Sequence, residues 1–329
     1  MKKQHIRAVC LLTALVSVGL GTAWAAGLLI ESATDNVKFP GQTVAFNEML
    51  VVTSPCPQAG ACSVQKVTSP KRGGTYAFRH RIPVGSGTRA EIDDASFHRY
   101  PKEGYNYWYG FSLFVPTTAG MYPKDSTTQY VAFQYVAQWR LSNVKEFGST
   151  VPNCSFGGGG SGHRLLIQNN RWVFKFVRQD PAEPACDGGI VSEIDLGSVV
   201  KGVWTDFVLQ GLWSGGDNGK LRIWTKTQNG SWSERARNGS NWFARYRAGS
   251  GRSGDLVAAP NFTVGLYDRN EQDRDVSRDL FSDQIKVVQV PTSQEDWPSS
   301  FRQVSPDGSA PSTTSSASFS TSNLSVNSN

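Results

Sequence analysis

An all-β sandwich is the fold class this sequence predicts, and three observations predict it. Short runs rich in β-branched and aromatic residues recur along the chain. Gly, Asn and Asp clusters separate them at turn spacing. Long runs of helical periodicity are hard to find. Many short strands joined by such turns bury one face of each sheet against another sheet, and the second face of one sheet is left free to form a concave groove.

Taken in order, the chain begins with Lys2, Lys3 and Arg7, an apolar run from Ala8 to Leu20, and the small-x-small site Ala23-Trp24-Ala25. Residues 1–25 therefore read as a secretory signal peptide cut after Ala25. The run is too short to span a bilayer, and Cys10 lies inside it, too early for a lipoprotein cysteine. No later segment is apolar enough to cross a membrane, so the expected mature protein is secreted or periplasmic, with no membrane partner. Residues 26–304 carry no linker-like break and read as one β domain, a size that single sandwiches reach. Residues 305–329, mostly Ser, Thr, Asn and Ala, offer little to bury and read as a disordered tail.

Outside the signal, Cys56, Cys62, Cys154 and Cys186 form an even set, which in an exported chain suggests two disulfides. Three pairings are open; Cys56–Cys62, closing the short loop CPQAGAC, and Cys154–Cys186 are preferred. A zinc site is disfavoured because no histidine stands at metal spacing beside these cysteines. The formal net charge is +6, and removing the three basic signal residues from the 33 Lys and Arg leaves 30 against 27 acidic residues, or +3. That balance suits an anionic substrate but lacks the dense Lys/Arg clusters of a nucleic-acid binder.

The expected strands are Gly74–Arg81, Arg89–Asp93, Tyr105–Val115, Tyr130–Arg140, Arg164–Gln168, Arg171–Arg178, Thr205–Trp213, Lys220–Lys226, Asn261–Tyr267 and Phe281–Val290. LLIQNNRWVFKF reads as a hairpin turning at Asn169-Asn170, where asparagine tolerates positive φ, and WSGGDNGKLRIW as a second hairpin. The run Gly157–Gly160 lacks the strand–GxxxxGK[ST]–helix context of a phosphate loop. In YNYWYGFSLFVP, alternation places Tyr105, Tyr107, Tyr109, Phe111 and Leu113 on one face and Asn106, Trp108, Gly110, Ser112 and Phe114 on the other. Most of these rings suit a core; Trp108 and Tyr109 are also candidates for sugar-stacking platforms. In YVAFQYVAQWR, one face carries Val131, Phe133, Tyr135, Ala137 and Trp139, an ordinary buried set. The other carries Ala132, Gln134, Val136, Gln138 and Arg140, and two amides and a guanidinium on one rigid strand point to a polar, anion-binding groove.

The order of motifs narrows this further. GTRAEIDD, YNYWYGFSLFVP, YVAFQYVAQWR, RLLIQNNRWVFKF, IDLGSVVKGVWTDFVLQGLWSGGDNGKLRIWTK, FTVGLYDRN and FSDQIKVVQV follow one another along the chain. The series, spanning roughly Gly74 to Val290, resembles the polysaccharide lyases of the heparin lyase I and glucuronan lyase type, which have a concanavalin A-like β-jelly roll. The resemblance implies β-elimination on a uronic-acid polysaccharide. That chemistry requires donors that neutralise the uronate carboxylate and stabilise the intermediate formed when C5 loses its proton. It also needs a base for that proton and an acid for the departing O4.

On this resemblance Arg89 and Glu91 correspond to the family's R-x-E element, with Arg89 binding carboxylate and Glu91 orienting it. Gln138 corresponds to the glutamine of Gln-x-His on the central strand, assisted by Gln134. Tyr267 in GLYD corresponds to the late tyrosine that acts as acid and is also a candidate for the base. Arg140 stands where the family's histidine is expected; permanently protonated, it suits carboxylate binding and not proton abstraction. His80, just upstream of Arg89, is then the candidate base, and His163, after the glycine loop, a candidate groove residue; His98 sits in a charged loop. The resemblance also implies a structural calcium, with Asp283 as its candidate ligand, and no cofactor for the chemistry. A monomer is expected. Two other readings compete: a non-catalytic carbohydrate-binding jelly-roll module, and a glycoside hydrolase, which would need paired carboxylates across one bond that no E-x-D-x-x-E strand provides here.

Overall fold

The computed structural model describes residues 27–32, 37–38, 49–53, 63–83, 89–93, 104–118, 134–141, 163–179, 189–213, 219–238, 246–247, 256–258, 260–268 and 277–312. The signal segment, all four candidate disulfide cysteines, His98, the run Gly157–Gly160 and residues 313–329 lie outside them. The strands are β1 (Gly27–Ser32), β2 (Val37–Lys38), β3 (Met49–Thr53), β4 (Ser63–Val67), β5 (Ala77–Ile82), β6 (Arg89–Asp93), β7 (Tyr105–Phe114), β8 (Gln134–Leu141) and β9 (His163–Gln168). They continue with β10 (Arg171–Gln179), β11 (Gly189–Ser198), β12 (Trp204–Leu212), β13 (Lys220–Thr227), β14 (Ser233–Asn238), β15 (Tyr246–Arg247), β16 (Leu256–Ala258), β17 (Pro260–Asp268) and β18 (Arg278–Pro291). One α-helix, α1, spans Trp297–Val304, and no helix among the described residues is long and apolar enough to cross a membrane.

Two sheets make the sandwich. Sheet A runs β14-β13-β12-β7-β18-β5-β4, with β1 also paired to β18, and sheet B runs β11-β10-β9-β8-β17-β6-β3-β2. Every pairing in them is antiparallel except β2 with β3. The jelly-roll sandwich expected from the turn-punctuated short strands is the architecture observed. Alternation on β7 explains how its aromatics are shared out. Tyr107, Tyr109, Phe111 and Leu113 enter the core between the sheets with Trp139, Phe174, Phe207 and Phe262, while Trp108 joins a separate cluster on the outer face of sheet A. The Asn169-Asn170 turn takes φ of 50° and 59°, the left-handed pair of a two-residue hairpin.

The C-terminal segment departs from expectation. Only the segment after Ser312 falls outside the described residues; Ser305–Ser312 does not behave as a tail. Helix α1 lays Phe301 and Val304 on Trp108, Val208 and Trp224 of sheet A, and the chain beyond it is fastened by charge. Lys226 Nζ donates to Asp307 and, at 3.1 Å, to Ser309 Oγ. Trp232 Nε1 donates to the same hydroxyl at 2.9 Å. Burial alone would raise the Asp307 carboxyl, but Lys226 and Ser309 hold it down at about 2. The strap crosses so close to β7 that a Cβ at Gly110 would stand 1.9 Å from the Val304 carbonyl oxygen. Gly110→Ala is expected to lift the strap at a cost of about 1–3 kcal/mol, measured as a Tm lower by on the order of 5 °C.

Candidate active site on the outer face of sheet B

The registers of β6, β17 and β8 fix which side chains meet. Thr263 lies opposite Asp93 and Gln138, Gly265 opposite Glu91, and Tyr267 opposite Arg89 and Tyr135. Because alternate residues share a face, Arg89, Glu91, Gln138, Thr263 and Tyr267 project outward. Ala90, Ile92, Phe262, Val264, Leu266 and Trp139 point into the core. The glycine two residues before the tyrosine has a physical cause. Gly265 takes φ of +137°, and a Cβ there would meet Ala90 O at 2.5 Å and His80 Nδ1 at 2.6 Å.

Glu91 is the hub of the outward cluster, with its side chain only 1% exposed. Its Oε1 accepts Gln138 Nε2 at 2.5 Å, which fixes the orientation of the amide. Its Oε2 lies 2.8 Å from Arg89 Nε; this is an ion contact rather than an aligned hydrogen bond, because the N–H does not aim at the oxygen. The Arg89 guanidinium, partly exposed, lies 4.7 Å from the centre of the Tyr267 ring. Tyr267 stacks on Tyr135 at 5.5 Å and 29°. Arg164 donates to the Tyr135 phenol oxygen at 2.7 Å. Thr263 Oγ1 donates to Asp93 at 3.1 Å. The carboxylates of Glu91 and Asp93 are thus buried and committed, while Arg89, Arg164 and Tyr267 reach the surface. Such a face attracts an anion and presents it with guanidinium groups and a phenol, above the buried Gln138 amide.

The family profile of the polysaccharide lyases matches residues 42–286 of the chain. The chain belongs to the polysaccharide lyase family. It is therefore an enzyme, and elimination chemistry makes an anionic polysaccharide its substrate class. Comparison with curated protein sequences gives no match. Among solved structures, the endo-β-1,4-glucuronan lyase of the fungus Trichoderma reesei is similar at a TM-score of 0.53 and 21% identity, covering 78% of this chain and 95% of that one. The marine alginate lyase of Aplysia kurodai matches at a TM-score of 0.43 and 10% identity, over 68% of this chain and 86% of that one. At these identities the likeness is one of fold.

In this lyase, four of the residues expected to act together do lie together: Arg89, Glu91, Gln138 and Tyr267. Others lie elsewhere. His80, expected as a base, is fully buried between the sheets. Its Nδ1 lies 3.0 Å from Ala90 O and its Nε2 2.7 Å from Ser282 Oγ. A carbonyl only accepts, so Nδ1 carries the proton and Nε2 accepts from the serine. Burial drives its pKa down to about 4, against the opposing effect of the Ala90 bond. His80 is a neutral cross-sheet tie and not a proton carrier at the groove. The unfolded state binds its proton below about 6.5, whereas the folded state does so only below about 4. Stability is therefore expected to fall as pH drops through that window, by on the order of 3 kcal/mol. Denaturant titrations from pH 7 to 4 check this, and His80→Gln should flatten the slope.

His163 is also interior, lying opposite Trp139 with its ring 5.0 Å from Trp213 and 6.4 Å from Phe174. Trp108 belongs to the far face of sheet A, stacked on Trp224 at 5.8 Å, and Tyr109 to the core, where its hydroxyl accepts Trp213 Nε1 at 3.0 Å. Neither is a sugar platform in the groove. Asp283 lies on β18 of sheet A and does not fit a calcium ion, which takes about six to eight oxygen ligands. Its oxygens instead accept the backbone N–H groups of Arg72, Gly73 and Gln284 at 2.7, 3.1 and 2.7 Å. Among the described residues, no group of His, Cys, Asp and Glu is placed to hold a metal.

A bulge in β8 changes the expected faces of YVAFQYVAQWR. Tyr135 pairs with Leu166 but Ala137 with Leu165, so Val136 is the extra residue. Val136 joins the core and Tyr135 turns to the outward cluster with Tyr267, Leu166 and Val173. Gln134 lies opposite Ile167 and Asp268, on the far side of the bulge from Gln138. Arg140, opposite Asn261, stays in phase with Gln138. The side chains of Gln134 and Arg140 lie outside the described residues. Sequence reasoning missed Tyr135 and Arg164. Arg164 was recoverable, since it is a charged residue entering the apolar run LLI of a predicted strand; Tyr135 was not, because alternation cannot reveal a bulge.

Proposed function

We propose that this lyase is exported and cleaves a glucuronan-type polysaccharide by β-elimination on the outer face of sheet B. The observation that carries this reading is the convergence of Arg89, Gln138 and Tyr267 around the buried Glu91. Arg89, steered by Glu91, neutralises the uronate carboxylate and stabilises charge as C5 loses its proton. Gln138, its amide fixed by Glu91, donates to the same group. Tyr267 takes the C5 proton as phenolate and returns a proton to the departing O4, a syn elimination by one group. Glucuronan is favoured because a structural neighbour, at a TM-score of 0.53, is a glucuronan lyase. Export follows from the signal-like residues 1–25.

The test is a substrate panel. Purified protein is incubated with glucuronan, alginate and heparin, and the ultraviolet absorbance of the unsaturated uronate is followed. The account expects a rise with glucuronan exceeding that with the other two. A preference for alginate or heparin would replace the substrate, and no rise with any uronan would remove the proposed reaction.

A further inference from the structure

The outer face of sheet A carries a second set of aromatic and charged groups, which the proposed reaction does not use. At the edge of that sheet, the pairing of β13 with β14 shifts between Ile223 and Trp224. Trp224 lies opposite Glu234 and Ile223 opposite Ala236, so Arg235 is the extra residue of a bulge. Arg222 then lies directly opposite Arg237, where like charges repel. Glu234 holds the two together. Its Oε1 accepts Nε of Arg222 at 2.7 Å and Nε of Arg237 at 2.8 Å, and its Oε2 accepts their Nη2 groups at 3.1 and 2.6 Å. Burial alone would raise the Glu234 carboxyl, but the two arginines hold it below its usual range. The Arg222 guanidinium also lies 4.3 Å from the ring of Trp224 and 5.3 Å from that of Trp297. Those two indoles are parallel to within 3°, with centres 6.3 Å apart. Trp224 is buried against Phe301, whereas Trp297, at the start of α1, is half-buried.

We infer that Trp297, Arg222 and Arg237 form a second binding site for an anionic polysaccharide, on the opposite side of the sandwich from the candidate active site. The inference takes its ligand class from the proposed reaction, whose substrate would be held here without being cleaved. Two guanidinium groups share one carboxylate, so the trio keeps a net positive charge. Arg237 is 54% exposed. Glu234 takes two of its five N–H donors, which leaves the others to pair with a uronate carboxylate. The uncovered part of the Trp297 indole offers an apolar surface to the C–H side of a sugar ring. Arg222, packed on both indoles and tied to Glu234, keeps the charge and the ring side by side. The arginines stay protonated and Glu234 stays ionised, so the trio binds an anion and moves no proton. A polymer long enough to pass round the edge of the sandwich can engage both faces, which raises its effective concentration at the groove. A short oligosaccharide engages one face at a time.

Two readouts test this. The first is retardation in native gels containing glucuronan, alginate, heparin or neutral hydroxyethylcellulose, run with Tyr267→Phe so that the polymer stays intact. Trp297→Ala and Arg237→Glu, each added to that variant, are expected to weaken retention by the uronan about threefold to tenfold. The neutral polymer should retain none of the proteins. Arg237→Glu is the decisive change, because a glutamate there can pair with Arg222 across the two strands: Tm should hold while binding falls. The second readout is kinetic and uses the otherwise wild-type enzyme. Both substitutions should raise KM for the long polymer severalfold and leave kcat/KM for a tetrasaccharide of the same uronan unchanged. Unaltered retention of folded Arg237→Glu overturns the inference, even where Trp297→Ala binds less, since that loss would then come from loosening α1. Equal retention by the neutral polymer overturns the assigned ligand class, and no retention by any uronan overturns the site. A wild type that is retained but cleaves no uronan would remove the proposed reaction, and the gel comparison would still decide the second site.

Discussion

Tyr267→Phe is expected to lower kcat/KM on the cleaved uronan by about 10²–10⁴-fold and to leave Tm unchanged. The substitution removes one oxygen and keeps the ring. The stack on Tyr135 and the guanidinium of Arg89 therefore keep their partner, and nothing in the core moves, because Tyr267 faces away from Leu266 and Val264. What disappears is the only group of the cluster that can both accept and release a proton: Arg89 stays protonated, Gln138 does not titrate, and Glu91 is buried between Gln138 and Arg89. Steady-state kinetics with parallel thermal unfolding check this. A folded variant with unchanged turnover would take the proton transfers away from Tyr267.

Arg89→Met carries the second large effect, and here catalysis and stability must be separated. Loss of a preorganised cation at the developing charge is expected to lower kcat/KM by about 10²–10³-fold. The same change strips the cation from Glu91, whose carboxylate is buried. Breaking a buried pair costs about 3–5 kcal/mol, and since Arg89 itself is partly exposed the lower end applies. The double variant Arg89→Met/Glu91→Gln removes the uncompensated charge. It is expected to regain most of the lost Tm and none of the lost activity. Recovery of both together would make the Arg89–Glu91 pair a structural strut, with no direct part in binding the uronate.

The strands that shape the groove were legible because their patterns are local. Arg89–Asp93 was expected with the bounds observed, and Tyr105–Phe114 and Arg171–Gln179 to within a residue. The hairpin at Asn169-Asn170 rests on residues that accept positive φ. Elements whose stability comes from elsewhere were not legible. Helix α1 is eight residues long with a proline in its first turn, too short to announce itself by periodicity; it exists because Phe301 and Val304 cover Trp108 and Trp224. Asp307 and Ser309 look like tail residues until Lys226 and Trp232 are placed beside them.

The site divides in the same way. Arg89, Glu91, Gln138 and Tyr267 were found because each sits in regular alternation on its strand and a family motif names its type. His80 and His163 were misplaced because a histidine satisfied in a core and one poised in a groove look alike in sequence. The partners that settle His80, Ala90 O and Ser282, belong to different sheets. Trp108 shows the complementary error: its ring suits a sugar, but the strap that covers it lies far along the chain.

The most direct measurement is a crystal structure of Tyr267→Phe with a bound glucuronan oligosaccharide. The account predicts the sugar chain on the outer face of sheet B. One uronate carboxylate should lie within hydrogen-bonding distance of Arg89 and Gln138, with its C5 turned toward the ring of residue 267. An oligosaccharide bound elsewhere, such as over Trp232 and Trp297 beside the C-terminal strap, with the Arg89–Glu91–Gln138 cluster untouched, would contradict it.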